Sequence, residues 1–190
     1  MQASADDPEV RATCHKTTRD HHNLAERLEK FSSWKCATRA IANLQDLIRT
    51  KRGTDRVDIV SALQRAELSI IKSVQSSTFE SEIASLSSGM PISRSSRLLK
   101  LHPSLDENGL LRVGGRLQNC ETLSFDVKHP IILPKNFHVT SLLVKHHHEV
   151  TAHQGKGITL GRLRTAGLWV IGGSSAVGSY IVNCAVCHKA

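Results

Sequence analysis

The sequence predicts an α+β protein in three parts. They are a helical N-terminal segment, a small β-rich linker unit, and a C-terminal three-helix module built around paired histidines and cysteines. Three observations predict it. Apolar residues recur at three- and four-residue intervals through residues 25–87. Composition then shifts to Ser, Gly, Pro and short apolar runs as far as residue 134. Finally, His148-x4-His153 is followed, after a gap of 30 residues, by Cys184-x2-Cys187.

Composition bounds the partners. The chain has 190 residues, and aromatics make up only 4%, so its core must be mostly aliphatic. Lys plus Arg number 25 against 17 Asp plus Glu, a net charge of +8. That balance suits a nucleic-acid partner and equally suits a soluble basic protein. Five cysteines, an odd number, argue against a complete disulfide framework. The first 30 residues hold no apolar signal core, and no 18-residue apolar run exists. No membrane partner is expected, and the interior of a cell is the expected location.

Residues 1–24 read as a disordered or truncated segment. Cys14, His15, His21 and His22 lie there without a CxxC or HxxxH anchor. Residues 25–97 form a helical region and its linker. Phe31, Trp34, Ala37, Ile41, Leu44 and Ile48 mark one apolar helix face. A second helix is expected over 56–87, with Val60, Leu63, Glu67, Ile70, Val74, Phe79 and Ile83 in its stripe and Thr54 or Asp55 as its cap. SLSSGMPISRSS, 85–96, breaks the helix.

Residues 98–134 form the small β-rich unit. Asn108-Gly109 is a turn signal between Leu105 and LLRV, and Gly114-Gly115 permits a bulge or bend. HPIILP sets a short strand between Pro130 and Pro134. VGGR lacks the spacing of a phosphate-binding loop and reads as a turn. Asp106, Glu107 and Asp126 are a weak match to a nuclease metal cluster, because two of them fall in that turn.

Residues 135–190 carry the chemistry. Zinc favours four nitrogen or sulfur ligands in a tetrahedron, and CxxC delivers two thiolates from one turn. His148, His153, Cys184 and Cys187 would fill one structural zinc site and leave no position for a reactive water. His146, His147 and His188 are competing ligands. A redox CxxC, ordinary buried thiols, and a Cys120 nucleophile with His129 or His138 are the other readings of these residues. Three helices fit around the site: 137–149, one capped by Thr159, and one capped by Ser174 or Ser175. Trp169 and Val170 lie between the last two and are expected in the core. A unit this small buries too little surface to be stable alone, so the ion would supply folding energy.

HHHEVTAHQGKGITLGRLRTAGLWVIGG…CAVC resembles the His2Cys2 zinc-binding N-terminal domain of retroelement integrases. FSSWKCATRAI, LQRAELSIIKSVQ, LDENGLLRVGGRL and HPIILP resemble the integrase-proximal part of BEL/Pao retrotransposon polyproteins. Together these cover residues 31–190. The resemblance implies a helical zinc domain that assists integrase multimerisation, as a homo-oligomer, and engages element DNA ends. Gly155, Thr159, Leu160, Leu163, Arg164 and Trp169 match the family's structural pattern. Leu168 stands where the family often has an aromatic, and Ser174 and Ser175 where it often has arginine. Lys156, Arg162 and Arg164 remain as candidate DNA phosphate contacts. The integrase core with its acidic triad is expected outside this segment, which by itself is expected to be non-catalytic. The alternative is a degenerate retroelement fragment acting only as a structural or protein-interaction module.

Overall fold

An apolar stripe on a helix must be covered, and the two longest helices cover each other. α2 (Trp34–Lys51) and α3 (Ile59–Thr78) pack side by side. Ahead of them lie one turn of helix, α1 (Leu24–Arg27), and a 3-10 turn at Leu28–Lys30. The structure is a computed structural model and describes residues 24–54, 58–114 and 122–188. Cys14, His15, His21, His22, Asp55, Gly115, Cys120 and Lys189 lie outside the described residues.

The α2 stripe is only half covered. Trp34, Ala37 and Ile41 are buried, whereas Leu44 and Ile48 are exposed. α6 (His138–Val150) packs against α2, while at the far end α3 reaches α2 through Arg65, 4.0 Å from Asp46, without covering Leu44 and Ile48. α3 is capped by Asp58, whose carboxylate accepts from the Ser61 amide at 3.0 Å. Thr54, the expected cap, instead donates its hydroxyl to the Arg49 carbonyl at 3.2 Å. The expected single helix over 56–87 breaks at Phe79, and α4 (Glu80–Ser87) continues from there.

A four-stranded sheet follows in the order β1-β2-β3-β4. β1 (Ser104–Leu105) and β2 (Leu111–Arg112) form the hairpin around Asn108-Gly109. β3 (Ile131–Leu133) pairs antiparallel with β2. A short helix, α5 (Phe125–Lys128), precedes β3. β4 (Leu168–Val170) pairs parallel with β3 through Ile131–Leu168, Ile132–Trp169 and Leu133–Val170. That strand lies between α7 (Lys156–Thr165) and α8 (Gly173–Val182). Two glycines permit close approaches. A Cβ on Gly114 would collide with the His102 carbonyl oxygen, and one on Gly167, at φ +73°, would stand 2.8 Å from Asp126 Cβ.

All three residues of β3 are buried, as in a strand covered on both faces. Ile131 and Leu133 join the larger apolar cluster, with Ile70, Val74, Leu142, Leu143 and Val177. Ile132 joins the smaller one, with Phe79, Ile92, Leu98 and Leu111. Gln75 of α3 is fully buried between strands. Its amide nitrogen donates to the Leu111 and Ile132 carbonyls at 2.8 and 2.7 Å. Its carbonyl oxygen accepts from the Leu111 amide at 2.8 Å. The side chain thus supplies bonds that a neighbouring strand would otherwise make.

Arg112 is a second buried polar group, and its partners dispose of the acidic cluster. Its Nε donates to Asp106 at 2.6 Å, and its Nη1 to Asp126 at 2.9 Å and the His129 carbonyl at 2.8 Å. Asp106 Oδ1 also accepts the Asn108 and Leu110 amides. These carboxylates are engaged in holding the hairpin turn and a buried cation. Among the described residues, no helix is long and apolar enough to cross a membrane.

Candidate metal centre

The corner formed by α6, α7 and α8 positions four side chains. His148 lies in the last turn of α6 and is fully buried. Beyond Val150 the chain reverses sharply. Ala152 and His153 adopt left-handed backbone at φ +51° and +60°, a conformation that costs about 1–2 kcal/mol for a residue with a side chain. The His153 amide bonds back to the His148 carbonyl at 3.0 Å, which closes the reversal. The strained turn brings the second imidazole back to the first: their ring centres are 4.8 Å apart and nearly perpendicular.

Cys184 and Cys187 follow α8. The Cys184 amide bonds to the Ile181 carbonyl, and the His188 amide bonds to the Cys184 carbonyl, both at 3.0 Å. That turn points both sulfurs at the histidines. Cys187 Sγ is 3.2 Å from His148 Nε2, and Cys184 Sγ is 3.4 Å from His153 Nδ1. One donor atom from each of the four residues lies within 4.8 Å of every other. A tetrahedron with zinc–nitrogen bonds of about 2.0 Å and zinc–sulfur bonds of about 2.3 Å has edges of roughly 3.3–3.8 Å. The four donors therefore need to close in only slightly to fit a single zinc ion.

Thr159 fixes which nitrogen His148 offers. The threonine hydroxyl donates its one proton to the Gln154 carbonyl at 3.1 Å. It must then accept from His148 Nδ1, 3.0 Å away. That leaves the Nε2 lone pair facing the sulfurs, the tautomer a metal ligand requires. Tyr180 packs its ring against His148 at 5.6 Å between centres. Burial, and then the neighbouring His153, lower the His148 pKa from the ordinary imidazole value, in the direction of the neutral ring. The Cys187 amide is the largest influence drawing the Cys184 thiol down to about 7. Desolvation, followed by Cys184 itself, pushes Cys187 up. One sulfur thus ionises readily, while the second would release its proton to solvent if a cation bound there.

Sequence competitors for the site lie elsewhere. His147 is buried in a cavity of about 500 Å³ shared with Trp34, Glu67 and His146. His188 is exposed and stands outside the cluster. Among the described residues, no other group of three or more His, Cys, Asp or Glu side chains gathers this way. The basic candidates divide. Arg164 stacks on Trp169, 5.3 Å from the ring centre, and lines a cleft with Lys156. Arg162 faces the other way, toward His146 and His147, whose pKa values burial lowers first and the Arg162 charge lowers a little further.

Helix starts differ from expectation. α7 begins after Gly155 and α8 after Gly172, neither with a side-chain cap. Thr159 lies inside α7, where its hydroxyl serves His148. The sequence reading missed that role and Tyr180's. The one sequence signal was a buried-type hydroxyl on the helix directly after the second histidine. Comparison with protein-family models, curated proteins and solved structures gives no significant match.

Proposed function

We propose that this chain is a zinc-dependent nucleic-acid-binding and assembly module of a BEL/Pao-type retroelement integrase, without its catalytic core. The observation that carries this reading is the convergence of His148, His153, Cys184 and Cys187, with Thr159 setting the tautomer of the buried ligand. α6, α7 and α8 form the three-helix module around it. Bound zinc would contribute folding energy and, with all four positions taken, no activated water. His148 and His153 would hold it through Nε2 and Nδ1, and the cysteines through sulfur. DNA is the proposed partner, with Lys156, Arg162 and Arg164 contacting phosphates and a second copy of the chain completing the assembly. The LLRVGGRL and HPIILP runs support the narrower retroelement assignment.

A second reading, a degenerate fragment that makes only protein contacts, draws on two observations. Ser174 and Ser175 occupy the exposed first turn of α8 where arginines would strengthen a DNA surface. Leu44, Leu47, Ile48, Ile59 and Val60 remain exposed at the far end of the α2–α3 pair.

Native mass spectrometry of the full chain and a Cys184→Ser variant tests the site. One zinc in the parent and none in the variant is expected; none in a reduced, metal-replete parent defeats the reading. Duplex binding as a function of salt separates the two functions. Three phosphate contacts predict a log–log slope of about −2.7. Zinc-loaded protein without DNA affinity at low salt would leave only the protein-contact reading.

A further inference from the structure

Trp169 stands half-buried between two clefts, and Arg164 lines both. The first, about 460 Å³, is bounded by Lys100, His102, Val127, Lys128 and Pro130. The second, about 590 Å³, lies beside the first turn of α8 and contains Lys156 and Leu160. Lys100, Lys128 and the α7 pair Lys156 and Arg164 come from three stretches of the chain, yet each lines a cleft that Trp169 also lines, and Arg164 stacks on its ring. Among the described residues, neither lining includes an aspartate or glutamate. Asp126, which adjoins this surface in sequence, is bonded to Arg112 at 2.9 Å. The first turn of α8 has no side-chain cap, and its Ser175 amide bonds back to the Gly172 carbonyl at 2.9 Å.

We infer that this surface holds an unpaired nucleic-acid strand. A base stacks against Trp169, and flanking phosphates lie on Lys100 and Lys128 in one cleft and on Lys156 and Arg164 in the other. The inference rests on the nucleic-acid reading above and narrows it from duplex to single strand. An aromatic wall between cations matches a strand whose base faces are free and whose charges repeat along the backbone. In a duplex those faces are covered by their neighbours. An acidic peptide would engage the cations but has no general need of the indole.

The test uses the zinc-loaded full chain with a short oligothymidylate, a duplex of equal length, and a polyglutamate peptide. Trp34 is buried at 5% exposure, so fluorescence quenching on binding reports Trp169 without any mutation. The expected result is quenching by oligothymidylate, with affinity reduced about tenfold in Trp169→Leu and largely kept in Trp169→Phe. Lys100→Ala with Lys128→Ala should also weaken the complex and flatten its salt dependence. Retained zinc stoichiometry shows that the variants are folded. Oligothymidylate binding without quenching, or unchanged in Trp169→Leu, overturns the inference. Duplex binding with no single-strand binding overturns it while leaving the broader reading intact. Binding of polyglutamate alone, or of no probe, overturns both.

Discussion

Gln75 and His148 are both fully buried polar side chains, yet they are completed differently. Gln75 makes three bonds of 2.7–2.8 Å to the backbone of β2 and β3. Its polar atoms are satisfied by the protein alone. His148 is anchored on one side by Thr159, but its other nitrogen faces a sulfur in a cluster of four donors. A buried polar group without a suitable partner costs about 1–3 kcal/mol, and four soft donors facing one another are best satisfied by a cation. The sheet is therefore a self-contained polar network, while the corner between α6 and α8 gathers four donors at distances compatible with a single zinc ion.

The largest expected effect separates the two regions directly. Zinc in such sites contributes on the order of 10 kcal/mol. Strong chelation is therefore expected to melt the turn after α6 and the Cys184–Cys187 turn, with loss of far-UV helical signal, while α2 and α3 retain theirs. An unchanged spectrum and melting temperature after verified metal removal would show that the corner is self-sufficient too. Gln75→Leu comes next. It strands the Leu111 amide and two carbonyls, and should lower stability by about 2–4 kcal/mol in urea titrations without changing zinc stoichiometry. A loss below about 1 kcal/mol would mean that the strands close without the side chain.

Thr159→Val acts on the metal corner alone. Losing the acceptor that fixes the His148 tautomer should weaken zinc about 10- to 100-fold in chelator competition. Equal affinity would reduce the hydroxyl to a packing role. The smallest effect concerns Glu67, which accepts from Trp34 Nε1 at 3.2 Å. Burial raises its carboxyl above the ordinary value of 4.5, partly opposed by that bond. Folding thus favours the protonated acid, and stability falls as pH rises from about 4.5 through the folded value. Glu67→Gln keeps an acceptor for Trp34 and should be slightly more stable at neutral pH, by less than about 1 kcal/mol, with the advantage vanishing in acid. An advantage that grows in acid would reverse the assignment.

Features written as spacing were legible in the sequence. The first half of the α2 stripe and Ile70 and Val74 of α3 appeared as 3.6-residue periodicity, although Val60 is exposed and Ala62, Ala66 and Ile71 complete the buried α3 face. The hairpin appeared as Asn108-Gly109, β3 as an apolar run between prolines, and the four clustered donors as HxxxxH with CxxC. What stayed hidden depends on tertiary partners. Gln75 interrupts its stripe as a polar residue, and only the adjoining strands reveal why it is buried. LWV at 168–170 is too short to distinguish a strand from a core crossing until β3 lies beside it. Leu44 and Ile48 continue the α2 stripe perfectly well, but periodicity carries no information about where the covering helix stops. Thr159 matched a cap pattern because hydroxyls favour helix starts, and its actual partner lies eleven residues earlier in sequence.

The Leu111 amide has a consequence for how this chain can be observed in motion. Its proton is held by Gln75 Oε1 on a helix rather than by an adjoining strand. Deuterium can replace it only when α3 lifts from the sheet or the whole chain opens. The exchange rate at this single position, compared with amides inside α3, therefore reports whether helix and sheet separate as a sub-global event or only with complete unfolding.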